Sequence, residues 1–196
     1  MELPADQQLG PRFDRALSLA RELHTKQQRK GSDIPYLAHL LGVASLVLED
    51  GGSEDEAIAA LLHDAVEDQG GQQTLGLIRK QFGKRVAEIV LACSDTDVVP
   101  KPPWKARKQA YIDHIADPAL DQGILRVSLA DKLHNARAIL FDLHVVEDEL
   151  WERFSADRSE VLWYYESLAD AFAARNAGPM VQELGRVLAE IAAKGN

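Results

Sequence analysis

The chain has 196 residues, 46% of them hydrophobic and 27% charged, which is the ordinary balance of one globular domain with a full core. Its net charge of −9 argues against a surface that binds nucleic acid, because such a surface is basic. No apolar run approaches the roughly 20 residues that span a membrane, and the amino terminus lacks the pattern of a signal peptide.

These properties favour a small-molecule partner over a nucleic acid or a membrane. The single cysteine, Cys93, lies in an apolar stretch and is predicted to be a core thiol in a reducing cytoplasm. The sequence leaves open whether the protein is a monomer or a homo-oligomer.

Apolar residues recur at helical spacing along almost the whole chain, which predicts an all-α fold built as a single helical bundle. Clusters of glycine and proline divide this pattern into elements. The helices are predicted, in chain order, over 13–28, 35 or 36 to 49, 54–68, 74–82, 84–92, 104–115 and 121–143, then from a cap at Ser155 or Asp157 through 174, and over 179–193. We expect one domain over 1–196, with its core at about 13–174 and a C-terminal helix at about 179–193.

The central helix is apolar on nearly every side from Ala57 onward, and Ser53 and Glu56 predict a capping box at its start. It ends on four ionisable residues, His63, Asp64, Glu67 and Asp68. If the helix continues through Asp68, His63 lies over Glu67, and Asp64 lies over both later carboxylates. Buried charges of this kind need a partner or a metal.

Two other apolar helices also carry polar residues in their buried stretches, His39 in one and Asp131 in the other. Taken singly, a buried histidine is usually a satisfied core residue and a helical aspartate is usually paired with an arginine. Taken together, His39, His63, Asp64 and Asp131 offer two imidazoles and two carboxylates. That set suits Mn²⁺, Fe²⁺ or Zn²⁺ with coordination positions left open for water and substrate.

Three segments carry a resemblance to a known family: Gln28–Gly31 with Ile34–His39, His63–Asp68, and Leu129–Asn135. Their order resembles the HD-domain metal-dependent phosphohydrolases, and in detail the hydrolase domain of the RelA/SpoT family. The free-standing small alarmone hydrolases, including the metazoan SpoT homologue, are the most similar forms. The resemblance covers roughly 13–174 and implies a single HD domain.

The resemblance also implies roles for individual residues. The metal ligands would be His39, His63, Asp64 and Asp131, usually around Mn²⁺, and the catalytic pair would be Glu67 and Asp68. Arg29 and Lys30 would flank the purine base, and Asn135 would lie against the nucleoside. Lys105 and Arg158 are candidates for binding the phosphate that is not cleaved, although a solvated helix face explains each of them equally well.

The chemistry of Glu67 and Asp68 leaves alternative roles open for each carboxylate. Glu67 can accept a proton from the attacking water or hold that water by a hydrogen bond. Asp68 can orient the same water or donate a proton to the leaving 3′-oxygen.

The expected function is a metal-dependent hydrolase that removes the 3′-pyrophosphate from (p)ppGpp or from an adenosine analogue such as (p)ppApp. An alternative is an HD-type phosphatase for another nucleotide, such as a nucleoside monophosphate or NADPH. A non-catalytic nucleotide sensor is less favoured because all the ligands and both carboxylates are intact. A di-iron oxygenase and a cyclic-dinucleotide phosphodiesterase are disfavoured, because the chain lacks the extra histidines of the first and the GYP motif of the second.

Overall fold

A computed structural model describes residues 4–94, 102–175 and 178–194. Within these ranges the chain is helical and forms no β-strand, only an isolated bridge between Gln28 and Pro35, so the all-α prediction is confirmed. None of the helices in these ranges is both long and apolar enough to cross a membrane. The predicted break before the helix at 104 falls mostly on 95–101, outside the described residues.

Ten α-helices occur in the described ranges, together with short 3₁₀ segments at Ala5–Gln7 and Glu147–Arg153. They are α1 (Pro11–Leu23), α2 (Leu37–Glu49), α3 (Glu54–Leu62), α4 (Ala65–Asp68), α5 (Gly71–Phe82), α6 (Lys84–Cys93), α7 (Trp104–Ala116), α8 (Gln122–Val145), α9 (Arg158–Arg175) and α10 (Pro179–Ala193).

The helices cluster into two compact units. The first holds the described residues up to Ser94 together with Asp121–Ala130, and the second holds 102–120 and the described residues from Asp131 onward. Helix α8 runs without a break through both sets of residues. The prediction of a single domain stays a prediction.

Helix α3 is the centre of the first unit, where it packs against α1, α2 and α6. All six residues of 57–62 are fully buried. The predicted capping box is confirmed: the Glu56 backbone N–H donates to Ser53 Oγ, and the Ser53 backbone N–H donates to Glu56 Oε2 at 2.8 Å. In the second unit, α9 packs against both α7 and α10.

The prediction of one continuous helix through Asp68 is wrong, because α3 ends at Leu62 and α4 begins at Ala65. The side chain of His63 turns back, with Nδ1 2.8 Å from the carbonyl oxygen of Ala60. In a continuing helix that carbonyl would accept the backbone N–H of Asp64. The His-Asp pair therefore lies at a break in the helix, and Asp64 becomes the N-cap of α4, where its carbonyl oxygen accepts the backbone N–H of Asp68 at 3.0 Å.

The first helix also ends earlier than predicted, at Leu23 instead of at 28. The hydroxyl of Thr25 donates to the carbonyl oxygens of Arg21 and Glu22, which occupies acceptors of the last turn. The chain then leaves the helix and forms the polar loop that precedes α2. The remaining helix boundaries fall within three residues of their predicted positions.

Candidate active site

Three of the four predicted metal ligands meet where α2 approaches the break between α3 and α4. Nε2 of His63 lies 3.0 Å from Oδ2 of Asp64, and Nε2 of His39 lies 3.5 Å from the same oxygen. Both imidazoles are 1% exposed, whereas Asp64 keeps partial access to solvent. The rings of His39 and His63 are 5.1 Å apart and meet edge to face.

The hydrogen bond of His63 fixes its tautomer. A carbonyl oxygen can only accept, so Nδ1 of His63 carries the proton that it donates to Ala60, and in the neutral imidazole Nε2 keeps a lone pair. This is the usual arrangement of a metal-binding histidine, in which one nitrogen is held by the protein and the other faces the ion.

Tyr36 supports the same group from the start of α2. Its hydroxyl donates to Oδ2 of Asp64 at 2.6 Å, and its ring meets the His39 ring edge to face at 5.5 Å. A donor of this kind orients a carboxylate ligand and fixes which of its oxygens is engaged.

Asp131 follows Ala130 directly in α8 and is 5% exposed. Its Oδ1 accepts from the amide of Asn135 at 2.5 Å, and its Oδ2 accepts from Lys132 Nζ at 2.6 Å. The Asp64 and Asp131 carboxylates are therefore held by neighbouring donors, and the buried His63 ring is held by the Ala60 carbonyl.

Lys132 gives Asp131 a permanent cationic neighbour. Desolvation alone would lower the pKa of the Lys132 ammonium, but the Asp131 carboxylate raises it well above its usual range. The ammonium also lies 4.9 Å from the centre of the Tyr111 ring, a cation–π distance. Lys132 thus stays charged and balances part of the negative charge of the site.

The donor set fits a divalent transition metal. Imidazole nitrogens with carboxylate oxygens suit Mn²⁺, Fe²⁺ and Zn²⁺, and the tautomer of His63 presents a lone pair. Two buried imidazoles around one carboxylate oxygen would otherwise bring polar groups out of water with little compensation.

Glu67 and Asp68, the predicted catalytic pair, both lie on the short helix α4. Asp68 is the more exposed, and its Oδ2 accepts from the side-chain amide of Gln27 at 2.8 Å. Partial burial raises the pKa of the Asp68 carboxyl, as do the charges of Asp64 and Glu67, against a lowering by the Gln27 hydrogen bond. A raised pKa makes the carboxyl a stronger base when it is ionised.

The predicted base-binding residues occupy a tight turn ahead of α2. Gly31 has φ of 74°, a left-handed conformation that favours glycine, and the Ser32 N–H donates to the Arg29 carbonyl at 3.1 Å. The guanidinium of Arg29 lies 5.8 Å from the centre of the Tyr36 ring, and Lys30 is exposed. Tyr36 therefore contacts both the Asp64 ligand and the loop that carries Arg29.

The other predicted substrate-binding residues lie in the second unit. Asn135 donates to Asp131, which commits part of its amide. Lys105 extends over Trp163 at 5.1 Å, and the Arg158 guanidinium lies 5.5 Å from the centre of the Trp151 ring.

Sequence reasoning did not single out His24 and Gln27, which contact each other and reach the site through Tyr36 and Asp68. A signal for His24 exists in the sequence, because it follows the buried Ala16 and Ala20 at a spacing of four and so continues their apolar stripe. Gln27 carries no such signal, since one glutamine in a polar loop is ordinary.

Comparison with known proteins assigns the family. A family model described as HD domain matches residues 16–161. The chain belongs to the HD-domain family. The match runs from α1 into α9 and includes the predicted ligands His39, His63, Asp64 and Asp131 and the Glu67–Asp68 pair.

Named relatives resemble the HD domain at moderate identity. A Xenopus tropicalis protein named guanosine-3′,5′-bis(diphosphate) 3′-pyrophosphohydrolase MESH1 is 40% identical over 125 residues, which cover 62% of this chain and 66% of that protein. The Homo sapiens protein of the same name is 34% identical over 139 residues, which cover 69% of this chain and 72% of that protein. The aligned region spans just under two thirds of the frog protein.

A solved structure has the same fold as the HD domain. It is described as a metazoan ortholog of SpoT that hydrolyses ppGpp, and it superposes with a TM-score of 0.76 at 25% sequence identity. The superposition covers 93% of this chain and 96% of that one.

Proposed function

We propose that this HD domain is a metal-dependent hydrolase that removes the 3′-pyrophosphate from (p)ppGpp. The observation that carries the proposal is the convergence of His39, His63 and Asp64 one turn before an intact Glu67–Asp68 pair. The names of the frog and human relatives and the description of the solved structure support the substrate. A small nucleotide is the partner, and the cytoplasm, inferred from the single reduced cysteine, is the compartment.

His39, His63, Asp64 and Asp131 would hold the metal, for which we propose Mn²⁺ with Fe²⁺ or Zn²⁺ as substitutes. When bound, such an ion lowers the pKa of water toward neutrality and neutralises negative charge on a phosphoryl oxygen. The protein holds three of these side chains by hydrogen bonds: His63 through the Ala60 carbonyl, Asp64 through the Tyr36 hydroxyl, and Asp131 through the side chains of Lys132 and Asn135.

Glu67 and Asp68 would perform the proton transfers. Half-buried Glu67 is proposed to accept the proton of the attacking water or to hold that water. Asp68, whose pKa is raised, is proposed to orient the water or to supply a proton to the leaving 3′-oxygen.

The remaining predicted residues would bind substrate. Arg29, which lies over Tyr36, offers a planar guanidinium for stacking on the purine, and Lys30 offers a point charge for phosphate. Asn135 is proposed to contact the nucleoside, with Lys105 and Arg158 near the phosphate that is not cleaved. An adenosine substrate such as (p)ppApp meets the same requirements.

The test is incubation of purified protein and Mn²⁺ with ppGpp, pppGpp, pppApp, NADPH and nucleoside monophosphates, with products separated by anion exchange. Pyrophosphate released from ppGpp or pppApp and abolished by EDTA is the expected result. Orthophosphate released only from NADPH or the monophosphates would replace the proposal with a different phosphatase. Metal binding without turnover of any of these nucleotides would favour a nucleotide sensor.

A further inference from the structure

A hydrogen-bonded chain of side chains reaches Asp68 from the end of α1. It begins at His24, which is 2% exposed and whose ring stacks on the Tyr36 ring at 5.2 Å with an interplanar angle of 15°. Nδ1 of His24 lies 2.6 Å from Oε1 of Gln27. Nε2 of Gln27 lies 2.8 Å from Oδ2 of Asp68.

Asp68 determines the direction of donation in this series of hydrogen bonds. An ionised carboxylate only accepts hydrogen bonds, so the Gln27 group that faces it is the NH₂. The opposite end of the same amide is therefore the oxygen, which accepts from Nδ1–H of His24 and from Nε2 of Gln69 at 2.7 Å. Gln27 is thus fixed in one orientation by donors on one side and by an acceptor on the other.

Asp68 has few other constraints. It is the last residue of the four-residue helix α4, is exposed, and would sample several rotamers without a partner. A neutral amide donor restricts the carboxylate without cancelling its charge. His24 provides the rigid end, because it is buried, stacked on Tyr36 and bonded through its backbone N–H to Ala20 at 3.1 Å.

We propose that Gln27 is a positioning residue that holds the Asp68 carboxylate in the orientation needed for hydrolysis. The inference rests on the proposed function of the Glu67–Asp68 pair. Gln27 would act through Asp68 without touching substrate, and it stands two residues before Arg29. The Gln27 side chain would then fix the position of the Asp68 carboxylate relative to the loop that is proposed to bind the base.

The competing explanation is that Gln27 only ties the loop to the protein. That role would lower the stability of a Gln27 variant, or weaken its substrate binding through Arg29, whatever residue stands at 68. A positioning role instead lowers kcat, leaves KM and metal affinity in place, and depends on Asp68. The two roles therefore separate in kinetics.

The first experiment compares Gln27→Met with Gln28→Met, a matched change at the exposed neighbouring residue. For Gln27→Met we expect kcat for ppGpp to fall at least about tenfold, since a displaced catalytic group is costly even at small displacements. KM and the Mn²⁺ dissociation constant measured by calorimetry should stay within about twofold, and Gln28→Met should match the wild type. An unchanged kcat, or a loss confined to KM, would overturn the proposal.

The isosteric Gln27→Glu variant tests the direction of the hydrogen bonds. The introduced carboxylate could still accept from His24 and Gln69, but it cannot donate to Asp68 when ionised. We expect Gln27→Glu to fold like the wild type and to lose as much kcat as Gln27→Met. In an Asp68→Asn background with residual turnover, Gln27→Met should add little further loss. Wild-type kcat in Gln27→Glu, or full additivity with Asp68→Asn, would contradict the positioning role.

A measurement without substrate keeps this inference distinct from the proposed function. The side-chain NH₂ signals of Gln27 in a ¹H–¹⁵N spectrum of the metal-free protein should shift in Asp68→Ala and stay in place in Asp14→Ala. If the wild type fails to hydrolyse ppGpp while these signals shift, the proposed function fails and the hydrogen bond stands. If the signals do not shift, the positioning proposal fails even in an active enzyme.

Discussion

At the scale of single residues, the tyrosine ahead of α2 connects more of the site than its neighbours do. The Tyr36 hydroxyl donates to Asp64, its ring stacks on His24 and meets His39 edge to face, and the Arg29 guanidinium lies over the same ring. The ring contacts do not need the hydroxyl, so the hydroxyl can be removed separately from the packing.

Tyr36→Phe is therefore predicted to weaken Mn²⁺ binding with little effect on the fold. Loss of a hydrogen bond to a ligand commonly costs about 10–100-fold in metal affinity, because the ligand is no longer held in orientation. Calorimetric titration with Mn²⁺ measures the change, and Tyr165→Phe, a buried tyrosine of α9, is the control. Wild-type affinity in Tyr36→Phe would show that Asp64 does not depend on this donor.

Ionisation of Asp68 lowers the free energy of unfolding of the metal-free protein. Its folded-state pKa lies above the ordinary value of 3.8, so the folded protein retains the proton to higher pH than the unfolded chain does. The free energy of unfolding therefore falls as pH rises from below 3.8 through the raised pKa, and the destabilisation is complete above that pKa.

Asp68→Asn is accordingly predicted to raise the melting temperature of the metal-free protein at pH 7. The gain should stay below about 1 kcal/mol, or a few degrees, because solvent screens the exposed carboxylate. Thermal unfolding in EDTA measures it, and the gain should shrink as the pH is lowered toward 3.8, where wild-type Asp68 is protonated. An equal or lower melting temperature at pH 7 would contradict this reasoning.

At the scale of elements, α3 is held at its first turn by more than the capping box. Arg126 Nη1 donates to Glu56 Oε2 at 2.9 Å, and its Nε donates to Asp50 Oδ2 at the same distance. Glu56, only 7% exposed, thus bonds both to Ser53 at the start of α3 and to Arg126 in the part of α8 that belongs to the first unit. The helix that ends next to His63 is anchored at its opposite end.

Ser53→Ala is predicted to remove about 1 kcal/mol of stability, because an orphan N–H of the first turn loses its acceptor. For a chain of this size the melting temperature should fall by about 2–4 °C. Ser18→Ala, an exposed position inside α1, is the control and should be neutral or slightly stabilising. A melting temperature equal to that of the wild type would mean that the Arg126 pairs alone fix this end.

The start of α3 could be predicted from the sequence, whereas its end could not. Ser53 and Glu56 form a local signature, and local signatures report local structure. The break at His63 depends on a side chain that takes the Ala60 carbonyl and on a tyrosine from another segment that bonds Asp64. Helical periodicity contains no information about either contact, so it predicted a helix that continues.

At the scale of the whole molecule, helical spacing was sufficient for the all-α class, and polar residues within apolar helices indicated the candidate ligands, to which the family resemblance added roles. His39, His63 and Asp64 do meet within the first unit. The supporting residues could not be predicted in the same way, because His24, Gln27 and Tyr36 act through contacts that join separate segments.

The central claim is that the ligand set and the Glu67–Asp68 pair together hydrolyse the 3′-pyrophosphate. The most direct test measures pyrophosphate release from ppGpp and bound Mn²⁺ in parallel for the wild type, Asp131→Ala and Glu67→Ala. We predict an active wild type, loss of both metal and turnover in Asp131→Ala, and retained metal without turnover in Glu67→Ala. Full activity with bound metal in either variant would contradict the role given to that residue, and a wild type that binds Mn²⁺ but leaves ppGpp intact would contradict the claim itself.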